Sequence, residues 1–337
     1  MRKLFLKILL FVSPILLLPI IFTAIDVFKF FGDYDNYYDK SFVSLNREHV
    51  CFNTYRNNID EKHYNSFIFG SSRSQSFKTK EWKKFLEQSA VPFHFDASGE
   101  GLHGISDKIK YIDNTGNNIS NALVIIDRTI LNQVTSRSGH LFIPNPEISG
   151  DSKIDYYTTI FKAEMNPKFA AAYIDYSLFK TYRNYMGKFI IKDKYKNTHD
   201  SISCDIWYGK DQEIKDDSIG YYRSLANNNI LFKRPVSKKL NLRVTPLELE
   251  QLLEIRKIFL KHKTKYKIVV APVYDQIVLE TDQLVTLQEI FGPENIFNYS
   301  GVNKYTESKG NYYEASHFKP TVSNDIMKEV YSINLLW

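Results

Sequence analysis

Short apolar runs of strand-forming residues recur along the chain, and each is cut off by glycine, proline or a polar residue. Phe67-Ile68-Phe69 is the first, ended by Gly70; Val91 to Phe95 is the second, and Ala122 to Ile126 is the most plainly apolar, ended by Asp127. Tyr266 to Ala271 and Asn295 to Phe297 complete the set. Between these runs the spacing turns helical. Lys80 to Gln88 puts Trp82, Phe85 and Leu86 on one face, and Ile105 to Ile112 suits a second helix. Thr245-Pro246 supplies a cap and a first-turn proline for a helix whose apolar face includes Leu249, Leu252, Leu253, Ile255, Ile258 and Phe259. Helices from about Thr281 to Phe291 and from Ser323 to Tyr331 follow. Five strands alternating with helices predict an α/β fold: a three-layer α/β/α sandwich around a mainly parallel five-stranded sheet.

Two stretches depart from this alternation. From Arg128 to about Val244 it fails: Tyr156 to Met186 is aromatic and helix-compatible, while Lys192 to Asp217 is polar and irregular. This reads as an insertion at about 130–244 above the carboxyl edge of the sheet, either selecting substrate or serving as a lid or partner surface. At the other end, residues 8–25 carry no charge and are nearly all apolar. Eighteen helical residues span about 27 Å, close to the hydrocarbon thickness of a bilayer. Arg2, Lys3 and Lys7 precede the run, so its amino end is expected in the cytoplasm and the rest of the chain outside it. Thr23-Ala24-Ile25-Asp26 leads into bulky Val27, Phe28 and Phe30, which lacks the small-residue site of a cleaved leader and favours an uncleaved single-pass anchor. The chain thus divides into an anchor at 1–31, a tyrosine- and asparagine-rich juxtamembrane connector at 32–60, and a domain at 61–337 that contains the insertion.

Composition narrows the functional classes. The formal charge of +6 over 337 residues is modest, and lysines alternate with acids, as in Lys78-Thr79-Lys80-Glu81, so a nucleic-acid partner is not expected. The 23 tyrosines and 24 phenylalanines can stack on sugars or fill a core. Cys51 and Cys204 are the only cysteines; in an oxidising compartment they could pair or stand as separate buried thiols. No cysteine pair or His-Glu-x-x-His spacing suggests a metal site, and no cofactor is implied.

The candidate chemistry lies in two stretches far apart in sequence. Ser66 to Phe77 reads S-F-I-F-G-S-S-R-S-Q-S-F, a buried strand that delivers hydroxyls to the sheet edge where open α/β folds bind ligands. Tyr312 to Pro320 reads Y-Y-E-A-S-H-F-K-P, with Glu314 and His317 three residues apart just before the final helix. A serine hydroxyl needs a base, an imidazole can serve near neutral pH, and a carboxylate can hold the other ring nitrogen. Ser71, Ser72 and Ser74 are all close enough to be the nucleophile on sequence alone.

These two motifs, Gly70-Ser71-Ser72 and Glu314-Ala315-Ser316-His317, resemble those of the SGNH (GDSL-like) hydrolase superfamily. The likeness is strongest to its membrane-anchored cell-envelope members with Gly-Ser-Ser-Arg openings, related to acyl-transfer proteins of surface polysaccharides and teichoic acids. It covers roughly residues 60–130 and 245–335. The resemblance implies Ser72 as nucleophile, His317 as base and Glu314 where the family has aspartate. It further implies oxyanion donors in the backbone N–H groups of Ser72 and Gly99, with Gly101 as a rival. The family's third donor, an asparagine, has no match, since that strand ends Ile126-Asp127-Arg128. Asp127 is instead expected to pair with Arg73 and support the turn. The function expected is a membrane-anchored serine acyl-esterase or O-acyltransferase on envelope carbohydrate. Its partners would be an acylated carbohydrate or acyl donor, membrane lipid and an envelope protein. A degenerate domain that binds glycan or assists assembly is the alternative.

Overall fold

The computed structural model describes residues 23–187, 189–191, 196–231, 234 and 243–332, together with 4, 7, 13, 17, 20 and 21. Strands β1 (Ser66–Gly70), β2 (Pro92–Asp96), β3 (Asn121–Ile126), β4 (Lys265–Val270) and β5 (Ile296–Asn298) form one sheet in the order β2-β1-β3-β4-β5. Every pairing in it is parallel. The chain steps from β1 outward to β2 and then returns past β1 to β3. This reversal opens a crevice at the carboxyl ends of β1 and β3, the place where such sheets bind ligands.

Alternation along the strands sorts their side chains into two cores. Phe67, Phe69, Phe93, Phe95, Val124, Ile126 and Ile268 enter one cluster with residues of four helices: α1 (Arg47–Lys62), α2 (Leu102–Asn114), α3 (Pro246–His262) and α4 (Thr281–Phe291). Ile68, Leu123, Ile125 and Val269 enter the other, with Val322, Ile326, Met327 and Val330 of α5 (Pro320–Ser332) and with Trp82. The three layers follow from these two faces. Helix α3 begins as its sequence dictates: Thr245 Oγ1 accepts from the Glu248 N–H, the Glu248 carboxylate accepts from the Thr245 N–H, and Pro246 fills the first turn.

The amino-terminal third differs from expectation. Residues 47–62, all but the last two in the segment read as a connector, form α1 and pack on the sheet. Its buried residues include Arg47, Glu48, His49, Asn53 and Thr54 beside Val50, Cys51, Phe52 and Tyr55, so no apolar stripe marks it in the sequence. Val27, Phe28 and Phe30, grouped with the anchor by sequence, are buried in a third core with Tyr156, Ile160 and Phe169 of the insertion. The Asp26 carboxylate fixes this entry by accepting from the N–H groups of Phe30, Phe31 and Gly32. Among the described residues no helix is long and apolar enough to cross a membrane. The transmembrane helix expected at 8–25 lies for the most part outside the described residues.

The insertion is more ordered than its composition suggests. Helices Lys153–Glu164 and Pro167–Phe179 build the third core, and a small hairpin pairs Thr198–His199 with Ile206–Trp207. The Ser203 carbonyl in this hairpin accepts from the His94 N–H, capping the free edge of β2.

Candidate active site

The serine turn is built by close packing at Gly70. Its φ of +155° comes with a position where a Cβ would stand 2.8 Å from the Ile125 carbonyl oxygen and 2.8 Å from Ser74 Cβ, so only glycine fits. The chain then tightens. The Ser71 carbonyl accepts from the Ser74 N–H at 2.8 Å, and Ser74–Ser76 forms a 3-10 turn. This lifts Ser72 above the carboxyl end of β1 while Ser71, Ser74 and Ser76 face inward and are buried.

The histidine and its acid arrive on a hairpin. Tyr312–Glu314 pairs with His317–Phe318 across the loop residues Ala315 and Ser316, with Glu314 opposite His317. Cross-strand partners share a face, so the three-residue spacing sets carboxylate beside imidazole. Nδ1 of His317 meets Oε1 of Glu314 in a short hydrogen bond, and Nε2 lies 2.8 Å from Ser72 Oγ. A carboxylate only accepts, so Nδ1 carries the hydrogen and the Nε2 lone pair faces the serine hydroxyl. The other Glu314 oxygen accepts from the Ser316 N–H at 2.8 Å. Burial pushes the Glu314 carboxyl upward. The His317 hydrogen bond and charge, the Ser316 N–H and Lys210 outweigh that and hold it at about 2, against an ordinary 4.5.

The other serines are thereby sorted. Ser74 Oγ donates to the Ser71 carbonyl at 2.7 Å and meets His94 Nε2 at 2.9 Å; Ser71 Oγ lies 3.5 Å from the Arg73 N–H. Ser72 alone of the three touches His317 among the described residues. Gly99 has φ +62° and lines the cavity beside Ser72, and neither its N–H nor that of Ser72 has a protein acceptor among the described residues. The Gly101 N–H is taken by Glu100 Oε1 at 3.2 Å, and Gly101 caps α2. Arg73 and Asp127 pair at 2.6 Å as expected, and Asp127 also caps the helix Arg128–Asn132 through the N–H groups of Thr129 and Ile130. Asp127 accepts at each of these contacts, so it does not stand in for a third oxyanion donor.

A cavity of about 500 Å³ opens beside Ser72 and His317, and its wall holds residues that sequence reasoning did not single out. Tyr38 lies parallel over His199, and Tyr208 packs near the His317 ring at 5.8 Å between centroids. Beneath them Arg47 grips Asp96 (Nη2 to Oδ1, 2.7 Å), Gln75 Nε2 donates to the other Asp96 oxygen at 2.6 Å, and the Tyr208 hydroxyl donates to Gln75 Oε1 at 2.5 Å. Burial pushes the Asp96 carboxyl up, but Arg47, His94 and Gln75 together bring it down to about 2. The serine turn therefore rests on a fully buried ion pair. Asp96 closes an apolar strand, a visible signal; Arg47 and Tyr208 sit in segments without periodicity and carry none. Among the described residues no cluster of three or more His, Cys, Asp or Glu is placed to hold a metal ion. No protein-family model matches the chain, and no curated protein does either.

Proposed function

We propose that this protein is a membrane-anchored serine acyl-esterase or O-acyltransferase acting on cell-envelope carbohydrate through an acyl-enzyme on Ser72. The observation that carries the reading is the continuous path from Ser72 Oγ through the His317 ring to Glu314 at the mouth of a cavity. Ser72 Oγ attacks the ester carbonyl as His317 Nε2 takes its proton, and Glu314 stabilises the imidazolium. The N–H groups of Ser72 and Gly99 receive the negative charge on the carbonyl oxygen. His317 then returns the proton to the departing alcohol. Water or a sugar hydroxyl, deprotonated in turn by His317, attacks the acyl carbonyl, and His317 returns that proton to Ser72 Oγ as the acyl group leaves. Aromatic faces at Tyr38 and Tyr208, with polar groups at Ser41, Ser44 and Asn197, suit a polyhydroxylated ligand. The anchor at 8–25 is supported by its composition and by exposed Ile20, Ile21 and Ile25.

Activated-ester hydrolysis and labelling by a fluorophosphonate test this. The label is expected on Ser72, and Ser72→Ala should lower the rate by at least about 10³-fold. An unlabelled Ser72 together with equal rates in both proteins sinks the enzymatic reading. The unmatched third oxyanion donor favours a second reading, a glycan-binding or envelope-assembly component, which predicts glycan binding that Ser72→Ala leaves intact and no turnover.

A further inference from the structure

The hairpin at 198–207 is fastened to the serine turn at several independent points. Asp205 Oδ2 accepts from the N–H and hydroxyl of Thr79, at 2.9 and 2.8 Å, and its Oδ1 meets His94 Nδ1 at 3.1 Å. Lys78 donates to both the Gln75 and Ile206 carbonyls, bridging turn and hairpin. Tyr208, directly after the hairpin, holds Gln75. Any displacement of this hairpin would therefore pull on the residues that place Ser72.

One contact ties the hairpin to the far side of the sheet edge. Cys204 follows Ser203 in the hairpin and Cys51 lies on α1; the residues are 153 positions apart, yet their sulfurs are 2.6 Å from each other. Both are buried, at 2% and 0% exposure. Cys204 also has φ +62°, a conformation rarely adopted by a residue with a Cβ and kept only where its surroundings demand it. The Arg47 guanidinium reinforces the placement by donating to the Cys204 carbonyl.

We infer that Cys51 and Cys204 are joined by a disulfide, and that this bond pins the insertion hairpin to α1 as the rear wall of the Ser72 cavity. Forming it converts two thiols to one S–S bond with loss of two protons and two electrons. A disulfide oxidant accepts them and becomes two thiols. Both cysteines are sealed from solvent, and burial, with the Cys204 contact adding to it, pushes the Cys51 thiol well above its ordinary range, so the folded Cys51 is a poor nucleophile. The bond is accordingly made while the chain folds and is closed to reductant afterwards, which makes it a staple rather than a switch. In the cell the oxidant depends on the outward orientation proposed above; the bond itself depends neither on that nor on esterase activity.

The test uses the full chain in detergent, refolded with glutathione disulfide. Alkylation in denaturant should add no iodoacetamide before reduction and two equivalents after it. A phosphine reductant without denaturant should leave the count unchanged over hours. Two equivalents before reduction overturn the bond. For the staple, Cys51→Ser, Cys204→Ser and the double variant should each lower the thermal midpoint by about 5–10 °C. Cleavage by a nonspecific protease within 198–207 should also become about fivefold faster or more. Cleavage at the wild-type rate in the double variant overturns the staple even where the bond is found, and both readouts hold whether or not Ser72 is reactive.

Discussion

Two serine–histidine–carboxylate chains leave the same turn in opposite directions. Ser72–His317–Glu314 opens to the cavity, with side-chain exposures of 22% at His317 and 17% at Glu314. Ser74–His94–Asp205 is sealed beneath it, with His94 and Asp205 at 0% and 1%. Their serine–histidine distances, 2.8 and 2.9 Å, are nearly the same, so distance does not separate them. What separates them is access and competition for the hydroxyl hydrogen. Ser74 is fully buried, and the Ser71 carbonyl at 2.7 Å competes with His94 Nε2 for its single hydrogen. Ser72 has no such competing acceptor among the described residues. The buried chain holds the turn; the open one faces the cavity.

The sharpest way to break this comparison is to remove an acid. Glu314→Gln should lower kcat/KM for an activated ester by about 10³- to 10⁴-fold, because the amide no longer fixes the ring hydrogen on Nδ1 or stabilises the imidazolium. Steady-state kinetics on the purified chain reads it, and a loss below tenfold would mean another acid serves His317. The same variant carries a pH signature. The folded carboxyl lies near 2 and the unfolded one near 4.5, so its stabilising contribution is complete above 4.5 and disappears as pH falls through about 2. The stability gap between wild type and Glu314→Gln should therefore be constant above that window and close within it.

The open chain was largely legible in the sequence and the buried one was not. Ser72, Glu314 and His317 stand in short motifs beside strong strand and helix patterns, and the β1 turn follows from three apolar residues stopped by Gly70. Glu314 and His317 lay three residues apart, a spacing that a hairpin converts into a cross-strand pair. His94 by contrast occupies an interior position of β2, where a strand covered on both faces calls for an apolar residue, and its partner Asp205 is 111 positions away in a stretch with no periodicity. Arg47 and Asp96 are 49 apart and joined by an ion pair inside a core. Contacts of this kind are fixed by tertiary packing, not by local spacing, so one sequence contains nothing that announces them.

A smaller effect follows from emptying the buried chain. His94→Leu fills the space but strands the Asp205 carboxylate oxygen at Oδ1, which should cost about 2–4 kcal/mol of stability. Denaturant unfolding measures that cost. Among molecules that remain folded, fluorophosphonate labelling of Ser72 should fall by less than about tenfold, since the ring touches Ser74 and not Ser72. A collapse of labelling as deep as that of Glu314→Gln would show that the two chains act as one.

The finest distinction concerns Tyr208, which touches the open chain and also the buried Arg47–Asp96–Gln75 network beneath the turn. Its hydroxyl supports Gln75 from the buried side, while its ring packs near His317 on the open side. Tyr208→Phe keeps the ring and deletes the hydrogen bond to the neutral Gln75 amide, whose oxygen can then turn to cavity water, together with a long 3.5 Å contact to the Ser72 carbonyl. The expected loss of stability is about 1 kcal/mol, near the net value of one such bond. Gln75 would still donate to Asp96, so the turn should keep its shape and kcat should fall by no more than about threefold. Tyr208→Ala removes the ring as well and should raise KM more than it lowers kcat, because the lost surface lines the cavity and not the reacting atoms. Equal kinetics for the two variants would place the contribution of Tyr208 in its hydroxyl alone, and the insertion would then hold the turn without shaping what enters the cavity.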